Sequence, residues 1–215
     1  MSSRVDLREQ ITALLRTRDF PGLVNLAGRD SKAAPMLLQF LYDPRDLLQW
    51  RAIEGLGHVA AVYPRQVQKL IGRLLWLLNE DSGSFGWGAA AALGEIGRGQ
   101  ISVVKEIIPM FCGYLEEEFS RESMLWGVGR LAEVHPDRLD EVTPMVAELL
   151  GHDDPQIRGL AAWCLGKTKY RAAAPALKEL LGDERPVRLY EGGDFRDTTV
   201  ARMARTALAP MNGSG

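Results

Sequence analysis

The sequence predicts an all-α fold: an α-solenoid, or superhelix, of about five helix pairs, preceded by N-terminal capping helices and carrying a small β-hairpin in its last repeat. The first observation behind this is self-similarity. The second helices of successive segments align on Leu56, Leu93, Leu131, Leu165 and Leu208, at spacings of 37, 38, 34 and 43 residues. The second is a marker inside each first helix. Pro35, Pro109, Pro144 and Pro175 each stand six residues before a leucine, namely Leu41, Leu115, Leu150 and Leu181, and Gly72 takes the proline's place before Leu78. The third is that Gly57, Gly94 and Gly166 directly follow three of the aligned second-helix leucines. Helix pairs at such periods cannot bury their apolar faces alone and must stack on their neighbours.

The elements follow in chain order. Residues 5–28 have helical periodicity without the repeat markers, so residues 1–30 are expected to be capping helices, because an end repeat must turn one face to water. Residues 31–210 form the repeat array. In its last repeat the chain between the helices is longer by about a dozen residues. There VRLYEGGDFRDTTV alternates around Gly192-Gly193, which predicts a β-hairpin at about 186–199 with a two-residue turn. Such a hairpin could cover the open end of the stack or offer an edge to a partner. The tail 211–215 is expected to be flexible.

The proline in the first helix, an Asp-Pro turn as at Asp43-Pro44 or Asp154-Pro155, and a following (V/I)R-x-x-A-A-x-x-LG pattern resemble HEAT repeats, especially the bacterial PBS-lyase HEAT-like type. The fourth repeat carries the pattern most fully, in Asp154, Pro155, Ile157, Arg158, Ala161, Ala162, Leu165 and Gly166. The resemblance covers about residues 31–210. It implies a fold and leaves activity open, because such repeats serve scaffolds, lyases, glycosylases and adaptors alike.

The totals agree with a core-forming chain: 215 residues, 46% hydrophobic and 25% charged, with no long uncharged apolar run and no signal-peptide pattern at the start. A cytoplasmic protein with no membrane association is therefore expected. Cys112 and Cys164 lie in apolar helical patterns and are expected to be buried free thiols. The formal net charge of −2 argues against a phosphate-gripping nucleic-acid binder.

Taking each aligned leucine as zero and advancing about 100° per residue separates an apolar arc from an opposite arc. In HEAT-like arrays that opposite arc usually lines the concave surface. On it fall Trp50 and Trp87 at position −6, Trp126 at −5 and Trp163 at −2, beside Glu54, His58, Glu95, Glu133 and Lys167. Indoles among mostly acidic groups suit a protein or peptide partner that is basic or amphipathic. Trp50, Trp87, Glu54, His58, Glu95 and Glu133 are the candidate binding residues. Nine glycines in these second helices suggest a packing role for the other two indoles, with Trp126 lying over Gly88 and Trp163 over Gly129; secondary binding is the alternative for both. Trp76, in a first helix, is expected to pack in the core or on the convex surface.

The sequence offers no catalytic set. GEIGRGQ follows a helix rather than a strand, His58, His135 and His152 belong to different repeats, and no HExxH or His-Glu pair is present. Ser84, Ser120 and Ser123 lie at loops or helix starts, where N-capping is their expected role, and Glu116–Glu118 reads as a solvated turn. Neither cofactor nor metal is expected. The expected function is a non-catalytic protein-interaction or scaffold module working through its second-helix face. The resemblance also implies two alternatives: a DNA-alkylation-repair-like glycosylase, or a phycobilin-lyase-like protein that handles a chromophore. The oligomeric state is left open.

Overall fold

The computed structural model describes residues 4–79 and 87–211, with the side chains of Arg4 and Trp87 excepted. Ser84, Gly86 and the tail beyond Met211 lie outside the described residues. The fold is the expected all-α solenoid type, with one two-stranded sheet among the described residues. The chain divides into two compact units, Met1–Lys105 and Glu106–Gly215.

The first unit holds three helix pairs. The cap is α1 (Arg4–Thr17) with α2 (Phe20–Arg29), followed by α3 (Ala33–Leu37) with α4 (Leu47–Val62), and α5 (Pro64–Asn79) with α6 (Trp87–Gly99). Local chemistry sets the ends. Asp19 accepts from the Gly22 N–H to start α2, and Asp46 accepts from Leu48 N–H to start α4. The core is built mainly of Leu, Ile and Ala side chains, among them Ile11, Leu15, Leu23, Leu37, Ile53, Leu56, Leu74, Ala91 and Leu93. Helices α4 and α6 approach so closely that a Cβ on Gly99 would lie 2.1 Å from the Gly57 carbonyl oxygen, and one on Gly57 would lie 2.8 Å from that of Glu95. These glycines serve a backbone-to-backbone contact that no side chain could occupy.

The second unit repeats the plan with α7 (Phe111–Glu116) and α8 (Glu118–Ala132), α9 (Thr143–Glu148) and α10 (Pro155–Thr168), and α11 (Ala174–Glu179) and α12 (Val200–Leu208). Asp154 caps α10 through Gln156 N–H with Pro155 at the first helical turn, and Lys169 closes the helix in a left-handed conformation (φ 55°). The Arg158 of the repeat signature is buried. Its guanidinium reaches Asp183 at 2.9 Å and the Asp153 carbonyl at 2.9 Å, tying α10 to the start of the hairpin connection.

Between α11 and α12 lie β1 (Pro186–Glu191) and β2 (Asp194–Thr199), antiparallel with Glu191 opposite Asp194. Gly192 (φ 66°) and Gly193 (φ 92°) make the turn, as the two-residue loop requires. The hairpin does not simply close the end of the last repeat. Val187 fills the space over Gly159 of α10, the Gln156 side-chain amide both donates to the Arg188 carbonyl and accepts from its N–H, and the Tyr190 carbonyl accepts from Trp126 of α8. It therefore lies across the second helices of its own unit.

Candidate functional site

The first unit places its predicted residues under its own cap. Trp50 is only 8% exposed, and its indole N–H donates to the Pro44 carbonyl at 2.8 Å. Glu54 is also buried, 3.3 Å from the Arg18 guanidinium. That guanidinium also lies over the Phe20 ring, and Phe20 in turn stacks on His58 with centroids 4.4 Å apart. Arg51 donates to the carbonyls of Leu15 and Arg16 at the end of α1. The arc of α4 expected to face a partner is thus largely covered by α1 and α2, which leaves His58 exposed. Glu95 is fully buried, paired with Arg98 at 3.2 Å. The Trp87 side chain lies outside the described residues.

These placements correct the expectation that the opposite arc is open. Helical phase separates two faces of a helix, but the cap packs against one while the other meets the first helices. Both faces of α4 are therefore largely buried, which is why Gly55 and Gly57 carry no side chain there: a Cβ on Gly55 would lie 2.6 Å from Leu23 of α2. Of the two places expected for Trp76, the core is excluded: the residue stands 55% exposed on α5.

In the second unit the indoles are packed, each differently. The Trp163 ring lies over Gly129 as the alignment predicts, with a Gly129 Cβ only 2.0 Å from its Cζ3. Trp126 donates to the Tyr190 carbonyl at 2.8 Å and tilts against the Tyr190 ring, because the hairpin brings a carbonyl to its N–H. In the first unit, a Cβ on Gly88 would meet atoms of Leu41. Nor do indoles account for the other glycines: Gly159 receives Val187, and Gly166 faces the α12 backbone at Ala207.

A charged chain of contacts crosses these helices. Glu133, just past α8, pairs with Arg130 at 3.0 Å and with Lys167 of α10 at 3.1 Å. Arg130 lies 5.4 Å above the Trp126 ring and Lys167 lies 5.4 Å above that of Trp163. Beside them opens a cleft of about 540 Å³, walled by the hairpin, α10 and α12. The linear sequence did not signal this cleft, which exists only because the hairpin folds inward. The alternation that put Val187 and Leu189 on one strand face was the available clue.

Other residues take structural roles. Ser120 and Ser123 donate to the carbonyls of Tyr114 and Ser120 rather than capping α8, and His152 Nδ1 accepts from the Asp154 N–H. Cys164 is buried and its thiol is pushed up to about 12 by desolvation, whereas Cys112 is only half-buried. Among the described residues no group of three or more His, Cys, Asp or Glu is placed to hold a metal, and no helix is long and apolar enough to cross a membrane.

Comparison with known proteins agrees with this architecture. Residues 119–168 match a model described as HEAT-like repeat, and residues 157–183 match the PBS lyase HEAT-like repeat. A protein of Archaeoglobus fulgidus, described as uncharacterized, is 31% identical over 118 residues, covering 53% of this chain and 63% of that protein. The chain thus spans under two thirds of that relative. Among solved structures, a designed armadillo repeat protein in complex with the peptide (KR)4 aligns with a TM-score of 0.55 at 17% identity, covering 98% of this chain and 100% of that one. An engineered protein aligns at 0.51 and 16% identity, covering 98% of this chain and 59% of that one. At these identities the likeness concerns the fold.

Proposed function

We propose that this chain, a HEAT-repeat protein resembling the PBS lyase HEAT-like repeat family, is a non-catalytic interaction module that holds a segment of a protein partner against its second helices. The observation that carries the reading is the run of Arg130, Glu133 and Lys167 over the Trp126 and Trp163 rings. It offers charged groups held in place beside aromatic faces and next to an open cleft. A peptide complex of a designed repeat protein with the same fold supports the mode of binding.

The chemistry favours an amphipathic segment over a purely basic one. Glu54, Glu95 and Glu133 already face Arg18, Arg98, Arg130 or Lys167, so a basic chain would have to displace those partners. Of the candidate binding residues, His58 and Glu133 are the exposed ones, and they carry the proposal with Lys167. Trp50, Glu54 and Glu95 support the helices beneath. Selection from a display library of random peptides tests this. Enriched peptides should bind the wild type and lose most of that affinity with Glu133→Ala plus Lys167→Ala, while Trp76→Ala binds as wild type. Equal binding by all three proteins overturns the reading.

A further inference from the structure

We infer that the cleft between the hairpin, α10 and α12 is a binding site for a carboxylate carried on an apolar body. One observation concerns a donor. Trp163 lines the cleft and is 8% exposed, and its indole N–H is buried with no acceptor among the described residues. The other buried indoles among the described residues contrast with it: those of Trp50 and Trp126 donate to carbonyls. The benzo edge of Trp163 presses on Gly129 of α8, so the N–H edge is turned away from that helix. A sealed donor without an acceptor is costly, and an indole N–H only donates, so a group that relieves it must bring an acceptor oxygen.

The second observation is charge. Lys167, Arg196 and Arg202 line the cleft against Glu191 and Asp197. The two carboxylates are turned to partners on the hairpin, Glu191 to Arg196 at 3.5 Å and Asp197 to Arg188 at 3.8 Å. Arg202 makes no ion pair among the described residues, and its backbone N–H is taken by the Thr199 hydroxyl. An anion therefore meets an uncommitted guanidinium in the lining, and a small shift of the Trp163 ring gives its sealed N–H an acceptor. Leu189 and Met203 supply apolar wall, and a volume of about 540 Å³ admits a small organic acid or the last residues of a peptide. The inference stands apart from the partner-holding reading, because a free acid would satisfy the same groups.

Indole N–H correlation spectra of the 15N-labelled protein test it. The Trp163 resonance is identified by its loss in Trp163→Phe. Three probes are titrated to about 10 mM, well above a Kd of about 1 mM: octanoate, a leucine-rich tetrapeptide with a free C-terminus, and the same peptide amidated. The expected result is a saturable downfield shift of the Trp163 resonance with a free acid and none with the amide, weakened about tenfold by Arg202→Ala through loss of a charge-assisted contact. A response to octanoate alone assigns the site to free acids, and one to the free peptide alone assigns it to chain termini. No shift with either acid overturns the inference. So does an equal shift with the amide, or one unchanged in Arg202→Ala.

Discussion

Gly129→Ala should destabilise the protein, against the ordinary expectation for a helix interior. Replacing glycine by alanine inside a helix normally gains about 1 kcal/mol. At this position the added Cβ would lie 2.0 Å from Cζ3, 2.6 Å from Cε3 and 2.8 Å from Cη2 of Trp163. Carbon atoms in contact prefer about 3.5–4.0 Å, so an inflexible ring or the whole of α10 must move by more than 1 Å. Overpacking of this kind costs about 1–3 kcal/mol, and the more severe end applies to a clash with three ring atoms. The net loss is about 1–2 kcal/mol, or about 2–8 °C in Tm for a chain of this size. In a Trp163→Ala background the clash is gone, and Gly129→Ala should become stabilising by about 0.5–1 kcal/mol. Urea denaturation of the four proteins gives the coupling, expected at about 2 kcal/mol. A stabilising Gly129→Ala in the wild type, or the same effect in both backgrounds, would refute the packing argument.

Arg158→Ala leaves Asp183 with its Arg185 partner alone and removes the tie to the Asp153 carbonyl; a loss of about 1–3 kcal/mol in denaturant unfolding is expected. Hydrogen bonds from Arg185 and Arg158 hold the Asp183 carboxyl well below the usual carboxylate range. Its contribution to stability is therefore complete above an unfolded pKa of about 3.9 and lost as pH falls below it, and Asp183→Asn should flatten that part of the stability profile. With a thiol pKa of about 12 and full burial, Cys164 should react with a thiol reagent only on unfolding, while half-buried Cys112 reacts slowly in the native state; two fast thiols would contradict this. Trp50→Ala should cost about 3–5 kcal/mol in a thermal or denaturant melt, because its ring is buried and its N–H bonded to Pro44; unchanged stability would place that indole on an open surface instead.

The helix pairs were legible because proline, leucine and glycine recur at fixed offsets, and those offsets are what a stack of repeats demands. The hairpin was legible for a different reason: Gly192-Gly193 supplies the positive φ angles that only such a turn needs. The Trp163 and Gly129 pair also followed from alignment, since equivalent positions on neighbouring second helices face each other. What the sequence did not carry was the third partner of each helix. Trp50, Glu54 and Glu95 look outward by phase, yet α1, α2 and the close approach of α4 and α6 bury them. Trp126 likewise turned to Tyr190, because periodicity within a helix says nothing about where an inserted hairpin folds back.

Photo-cross-linking tests the central claim most directly. A benzoylphenylalanine is installed at Thr206, exposed on the second helix α12 at the cleft, and, separately, at Glu148, exposed on the first helix α9. With a peptide selected by display, adducts should form from position 206 and not from 148. Adducts from 148 alone, or from neither position despite binding, would contradict a partner held on the second-helix face.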